Sequence, residues 1–388
     1  TGTNGKTTTA FLIEAGLRDE GRVTGLLGTV ETRVAGRPRP ASLTTPECSD
    51  LQRLFAEMVS EGVTDAALEV SSHALSQGRV RGVNFKAAVF TNLTRDHLDY
   101  HKTFEAYFEA KSRLFTEHLR TDGRAIVNID DEWGRRLASL LGSERCLTFS
   151  QAPGADFHPE DLSLSLAGTG FTAVTPAGRA RVDSPLVGHF NVSNLLGALG
   201  ALVAMGLSPA QAARGVSNLA GVPGRMERVE AGQAFTVLVD YAHTDDALRN
   251  LLDTVRSLKP RRVITVFGCG GDRDRSKRPL MGAVAAQRSD LVIATSDNPR
   301  SEPPEAILDE IALGLRDRET PFELVVDRRL AIEKALRAAE PGDVVAIAGK
   351  GHEATQTIRD RRLPFDDRQV ARQILGSLDR SGGAHAHP

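Results

Sequence analysis

The stretch "TGTNGKTTTAFLIEAGL", residues 1–17, decides how the rest of the chain is read. A Gly-Lys-Thr tripeptide follows the turn-forming pair Asn4-Gly5 and runs into a segment of helical pattern, the local chemistry of a loop that feeds a helix. At such a junction the unpaired backbone N–H groups and the positive end of the helix dipole hold phosphate oxygens. Lys6 then reaches the outer phosphates and the Thr7 hydroxyl suits a magnesium ion, with Gly2, Thr3, Asn4, Gly5 and Thr8 forming the cradle. The complete pattern asks for one more glycine, at a position one residue ahead of Thr1. Taken alone, the stretch therefore leaves an ordinary glycine-rich turn open as the other reading.

Outward from this loop, short β-rich runs alternate with helical patterns. "VTGLLGTVE" (23–31), "VTDAALEV" (63–70), "FKAAVFTNL" (85–93) and "GRAIVNID" (123–130) fill the first half. "AFTVLVDYA" (234–242), "RRVITVFG" (261–268), "DLVIAT" (290–295) and "DVVAIAG" (343–349) fill the second. That alternation predicts an α/β fold on mostly parallel sheets. Between residues 162 and 187 polar and apolar residues alternate with Gly and Pro turns, which predicts an antiparallel insert. The cluster "GVPGRMER" (221–228) marks a boundary near Val222, giving domains 1–222 and 223–380, and 381–388 reads as a disordered tail.

At 388 residues, with 40% hydrophobic and 25% charged residues, the chain has the composition of globular domains with substantial cores. A formal charge of −2 excludes a global basic field for nucleic acid or anionic membrane, so any anion must be met locally. The three cysteines lack metal-ligand spacing, and no run approaches the roughly 18 apolar residues of a membrane span. A reducing, cytoplasmic compartment is the expectation.

In open parallel sheets ligands collect beyond the carboxyl ends of strands, and those positions are polar here. "EVSSH" (Glu69–His73) follows one apolar run and "TNLTRDHLDYH" (Thr91–His101) another, so Glu69, His97 and the Thr7 hydroxyl could face one metal; each alone could equally be a hydrogen-bonded surface residue. The helical segment "TFEAYFEAKSRLF" places Phe104, Tyr107, Phe108, Leu114 and Phe115 on one stripe, and Lys111 falls on that same face. Either its ammonium snorkels to the surface, or a partly desolvated amine has been recruited into a polar site.

The ordered motifs "TGTNGKTTT", "TTPE", "EVSSHAL", "TNLTRDHLDYH", "YFEAKSRLF", "GHFNVSNLLGAL", "PGRME", "DYAHT", "GCGGDRDRSKRPLMG", "DNPRSE" and "GKGHE" resemble those of the Mur ligases over nearly the whole chain. The resemblance implies a central P-loop ATPase domain followed by a C-terminal Rossmann-like domain. It also implies an N-terminal UDP-binding domain and a strand leading into the phosphate loop, both ahead of Thr1. The implied enzyme uses ATP and Mg2+ to turn the terminal carboxylate of UDP-N-acetylmuramoyl-dipeptide into an acyl phosphate, which the amine of meso-diaminopimelate displaces. Lys6, His97 and Lys111 match catalytic positions; Thr7, Glu69, His97 and Lys111 match metal positions, Lys111 as a carbamate made with CO2. Asn194, Arg225 and Asp240 match nucleotide positions, and Thr44, Thr45, Ser71, Gln77 and Arg79 match positions that hold the muramoyl dipeptide. Arg273, Asp297, Asn298, Pro299, Arg300, Gly349 and Glu353 match positions around the incoming amino acid. A monomer is implied, with neither nucleic acid nor membrane as partner. The sequence departs from the family at Asp245, where proline is usual, a change expected to act on loop rigidity more than on chemistry. A non-catalytic ATP-binding fragment and a folylpolyglutamate-type ligase are the competing readings.

Overall fold

The computed structural model describes residues 1–316 and 318–382. From residue 383 on, the expected tail lies outside the described residues. The chain divides into two compact units, Thr1–Val222 and Pro223–Pro388.

The first unit runs α1 (Lys6–Asp19), β1 (Thr24–Leu27), β2 (Glu31–Val34), β3 (Arg37–Pro40), α2 (Cys48–Ser60), β4 (Asp65–Leu68), α3 (Ser72–Ser76), β5 (Phe85–Phe90), α4 (Leu98–His101), α5 (Phe104–Thr116), β6 (Leu119–Asn128), α6 (Glu132–Leu141), β7 (Cys146–Phe149), β8 (His158–Ser165), β9 (Gly168–Thr175), β10 (Gly178–Ser184), α7 (His189–Ala204) and α8 (Pro209–Ser217). One sheet has the order β3-β2-β1-β4, with β1 and β4 parallel, and a second, wholly parallel, has the order β5-β6-β7. An apolar cleft between β4 and β5 is lined by Ala66, Ala67, Ala87 and Val89 from the strands and by Ala10 and Ile13 of α1. Thr1 lies in this cleft: its N–H donates to the Val89 carbonyl and its own carbonyl accepts from Thr91 N, a parallel ladder continued by Thr3 N on the Asn92 carbonyl. This ladder suspends the loop of residues 1–5 beside β5 and aims α1 into the unit. The alternating segment folds as the antiparallel sheet β10-β9-β8, as its pattern predicts.

Helix α7 is apolar nearly all round, which is why it is buried among sheet and helices at once. Val192, Leu195, Leu196, Leu199 and Leu202 pack with Phe11, Leu12 and Leu17 of α1 and Ala212, Ala213 and Val216 of α8. Gly16 and Gly215 let α1 and α8 touch almost backbone to backbone, since a Cβ on Gly215 would come 2.5 Å from Gly16 Cα. On the other side of the sheets, Leu27, Val70, Phe90 and Val127 form a second core with Tyr107, Phe108, Leu114 and Phe115 of α5. The expected stripe on α5 holds except at Phe104, which is 37% exposed and stacks on Trp133.

The second unit runs β11 (Glu227–Arg228), β12 (Thr236–Asp240), α9 (Asp245–Ser257), β13 (Val263–Phe267), α10 (Lys277–Arg288), β14 (Leu291–Thr295), α11 (Pro304–Leu315), β15 (Phe322–Val325), α12 (Arg328–Ala338), β16 (Val344–Ala348), β17 (Thr355–Ile358), β18 (Arg361–Pro364) and α13 (Asp367–Gly382). Its six-stranded sheet has the order β11-β12-β16-β13-β14-β15 and is parallel except for β11. Val239, Ile347, Val266 and Ile293 lie in register across four strands, the continuous apolar row of a sheet covered on both faces. The expected α/β class with mostly parallel sheets is thus what the chain adopts. Asp245 is the first residue of α9 behind the Thr244 cap, so it stands on a helix start, where a carboxylate complements the dipole much as proline would supply a preset φ. No helix among the described residues is long and apolar enough to cross a membrane.

Because only backbone faces Gly215, Gly215→Ala should force α1 and α8 apart and cost about 1–3 kcal/mol. Gly221→Ala, with nothing within 4 Å of the added carbon, should stay within about 0.5 kcal/mol. Urea unfolding of the two variants checks the difference.

Candidate active site

In the first unit the loop of residues 1–5 enters α1 through Gly5, whose φ of 86° is left-handed. A side chain there would also run into Asn194, whose Oδ1 would stand 2.3 Å from the added Cβ, so the residue must be glycine on both counts. The loop is held from outside. Asn4 N donates to Asn92 Oδ1 at 2.9 Å, Thr91 Oγ1 to the Asn4 carbonyl at 2.6 Å, and the Thr3 hydroxyl meets Tyr107 OH at 3.2 Å. Lys6 curls back so that Nζ donates to the Gly2 carbonyl at 3.0 Å and the Thr3 carbonyl at 2.8 Å.

Lys111 settles one open alternative. It is 1% exposed and does not snorkel; Nζ donates to the Gly2 carbonyl at 2.8 Å and sits 4.5 Å from the centroid of the Tyr107 ring. Burial, reinforced by the nearby Lys6 charge, pushes its pKa well below the usual lysine value. The amine is thereby uncharged far more readily than a surface lysine.

Glu69, 2% exposed, follows β4 and is the hub of a hydroxyl cluster. Its Oε2 accepts from Thr7 Oγ1 and Thr29 Oγ1, both at 3.0 Å, and Oε1 accepts from Thr29 N at 2.7 Å. Thr44 Oγ1 lies 3.0 Å from Thr29 Oγ1. Thr45 Oγ1 donates to the Glu69 carbonyl at 2.8 Å and accepts from Ser71 N at 3.1 Å. Arg79 closes the group, donating to the Thr45 carbonyl at 3.1 Å and to Gln77 Oε1 at 2.8 Å. The positions matched to the dipeptide therefore converge on the carboxylate matched to metal. Thr8, on the first turn of α1, is buried at 5% exposure.

His97 adopts a left-handed φ of 55° ahead of α4, with Nε2 3.3 Å from Asp96 Oδ2. Burial lowers its pKa to about 4, so the ring is neutral and keeps a lone pair for a metal. Its ring meets His73 and Tyr107 edge-on, with centroids 4.7 and 6.2 Å away, while Tyr100 packs on His73 and His101 on both His73 and Tyr107. Asn194, 5% exposed on α7, takes a hydrogen bond from Thr9 Oγ1 at 3.4 Å and lies against Gly5.

In the second unit the matched residues stand just past strand ends. Asp240 ends β12; its carboxylate accepts from Met226 N at 2.7 Å and Ala242 N at 2.8 Å, and burial raises its pKa. Arg225 lies over the Tyr241 ring at 4.6 Å. Past β14, Asn298 Nδ2 donates to Glu353 Oε2 at 2.8 Å, while Asn298 Oδ1 accepts from Thr357 N at 2.9 Å. Asp297 is 8% exposed, and its Oδ2, beside Gly349, is buried without a hydrogen-bond partner. After the buried Pro299, Arg300 takes φ 51° and its Nη1 donates to the Gly271 carbonyl at 2.6 Å. Arg273 is not drawn in; it is exposed and, among the described residues, donates to the Asp272 carbonyl at 3.1 Å.

Two participants escaped the sequence reading. Thr29, which bridges Glu69 and Thr44, carries no local signal. Lys350, between two glycines in "GKGHE", is fully buried and joins Asn298 Oδ1 at 3.2 Å to Glu353 Oε2 at 2.9 Å; a lysine in an apolar–glycine context was the available clue.

The profile of the Mur ligase middle domain matches residues 1–202 and that of the Mur ligase glutamate ligase domain matches residues 224–351. The UDP-N-acetylmuramoyl-L-alanyl-D-glutamate–2,6-diaminopimelate ligase of Solibacter usitatus is 50% identical over 376 residues, covering 97% of this chain and 76% of that protein. The enzyme of the same name from Gloeobacter violaceus is 52% identical over 384 residues, 99% of this chain and 77% of its own. A solved structure bearing that enzyme name superposes with a TM-score of 0.69 at 40% identity, covering 97% of this chain and 77% of that one. Folylpolyglutamate synthase of Mycobacterium tuberculosis reaches a TM-score of 0.72 at 19% identity, over 97% of this chain and 90% of its own, which speaks for a common fold alone. With both domain profiles and relatives at half identity across nearly its full length, the chain belongs to the Mur ligase family.

Proposed function

We propose that this chain is an ATP-dependent ligase that joins meso-diaminopimelate to UDP-N-acetylmuramoyl-L-alanyl-D-glutamate in peptidoglycan precursor synthesis, acting in the cytoplasm as a monomer. The substrate's terminal carboxylate attacks the γ-phosphorus of ATP, releasing ADP and leaving an acyl phosphate. The amine then displaces phosphate from the acyl carbon, losing a proton and forming the amide. The observation that carries this reading is the buried Lys111 amine on the Gly2 carbonyl, at the loop suited to phosphate.

The donor set fits magnesium. Thr7 Oγ1 and Glu69 Oε2 are hard oxygens 3.0 Å apart, and the neutral His97 imidazole would serve as a further ligand. Among the described residues no three His, Cys, Asp or Glu are grouped to hold a metal ion, so a further anionic oxygen would strengthen the site. Lys111 supplies it if its neutral nitrogen adds to CO2, losing a proton to give a carbamate. Bound magnesium would disperse the charge gathering on the transferred phosphoryl group. Lys6 gives up the Gly2 and Thr3 carbonyls for phosphate oxygens, and the backbone N–H groups at the α1 start orient them. Arg79 and the Thr44–Thr45–Ser71 hydroxyls hold the dipeptide, and Asn194 is the nucleotide residue of the first unit, as Arg225 and Asp240 are of the second.

For the incoming amino acid, the orphaned Asp297 Oδ2 and the Glu353 carboxylate suit an ammonium, and the Arg300 guanidinium suits a carboxylate taken with two parallel hydrogen bonds. Lysine lacks the second carboxylate that diaminopimelate brings to this cation.

Lys111→Ala in the full-length gene product should lower amide formation by about 100-fold or more, the scale of removing one preorganised charge-stabilising group. A short carboxylic acid should restore part of it by replacing the lost oxygen ligand, and wild-type turnover without such an acid would remove the proposed role. Arg300→Ala should cost roughly 2–5 kcal/mol in transition-state binding with diaminopimelate and change turnover with lysine little. Competition between the two amino acids measures this, and a wild-type preference for lysine would refute the assignment.

A further inference from the structure

Arg328 opens α12, on the first turn, a position the helix dipole disfavours for a cation, and it is completely shut off from solvent at its side chain. Its guanidinium uses every face. Nε and Nη2 grip the two oxygens of Asp367 at 2.8 and 2.7 Å, and Asp367 is itself fully buried at the start of α13. Nη1 donates to the Ser296 carbonyl at 3.3 Å and Nη2 to the Ala348 carbonyl at 3.0 Å. Those carbonyls are not ordinary sheet positions. Ser296 is the residue between β14 and Asp297-Asn298-Pro299-Arg300, and Ala348 ends β16 just before Gly349-Lys350. In the sheet, β13 separates β14 from β16, so one planar group ties together the ends of two strands that do not hydrogen-bond to each other. Burial alone would pull the Arg328 pKa down; Asp367, and at longer range Asp297 and Glu353, outweigh it and hold the group firmly cationic.

We propose that Arg328, locked by Asp367, is a positioning residue for the incoming amino acid, setting the spacing between the loop that carries Asp297, Asn298 and Arg300 and the loop that carries Gly349, Lys350 and Glu353. The proposal rests on the amino-acid assignment given above. Two carboxylates that would receive an ammonium, Asp297 and Glu353, feel its charge without touching it. The link between Asn298 and Glu353, 2.8 Å long, exists only while the two strand ends keep their spacing.

Two variants test this in the full-length gene product. Arg328→Lys keeps the charge, but a compact ammonium cannot span Asp367 and both carbonyls. The double variant R328M/D367L removes both buried charges together, a replacement that folds tolerate far better than an orphaned partner. In both, KM for diaminopimelate should rise on the order of 10- to 100-fold, the effect of misplacing binding groups by about an ångström. KM for ATP should stay near wild type, and Arg328→Lys should retain more affinity than the double variant. Amide hydrogen exchange in segments 296–300 and 349–353 should accelerate. Folded variants with an unchanged KM for diaminopimelate and unchanged exchange would overturn the proposal. A wild-type enzyme that makes no product with diaminopimelate would instead overturn the substrate assignment, and loop exchange would still decide the role of Arg328.

Discussion

Burying Lys111 takes an amine out of water and leaves it donating to a neutral carbonyl, that of Gly2, above the face of Tyr107. Desolvation without a contacting carboxylate favours the uncharged nitrogen, and the Lys6 charge pushes the same way. The first unit is arranged around this group. Helix α5 supplies the lysine and the tyrosine one turn apart, the tyrosine hydroxyl reaches Thr3, and the same Gly2 carbonyl also receives Lys6. One backbone oxygen thus couples the loop, the helix behind it and both lysines.

The loop is consequently satisfied from within. Lys6 is already hydrogen-bonded to two loop carbonyls, so a phosphate gains its ammonium only by offering a stronger, charge-assisted acceptor. Glu69 is satisfied by three donors from Thr7 and Thr29, and a cation entering there would replace hydroxyl protons with a direct oxygen contact. Preorganisation of this kind keeps reacting groups in place before substrate arrives.

The second unit solves a related problem with ions. Its parallel strands send their carboxyl ends toward one rim, where the charged Asp297, Arg328, Lys350 and Asp367 are buried. Arg328 with Asp367, and Lys350 with Asn298 and Glu353, keep those charges paired at fixed spacing. Such pairs contribute little net stability after desolvation, but they restrict the loops to one geometry.

The elements were legible because burial on both faces writes itself as short apolar runs: "FKAAVF", "RRVITVF" and "DVVAIA" all became strands near their expected ends. The antiparallel insert followed from its period-two alternation. The loop entering α1, and a lysine on the apolar face of α5, were also in the sequence, since periodicity shows which face a residue occupies. Sequence could not choose between a snorkelling and a buried Lys111, because that depends on whether another segment covers the ammonium, and residues more than a hundred positions earlier do so. Thr29, Arg328 and Asp367 escaped notice for the same reason: their partners are distant in the chain, and hydrogen bonds between distant residues leave no period. Local pattern therefore determined the class, the order of elements and the chemistry available at strand ends. Tertiary packing alone decided which of those groups are dry, which are paired, and what protonation state they hold, because desolvation and charge pairing act through space.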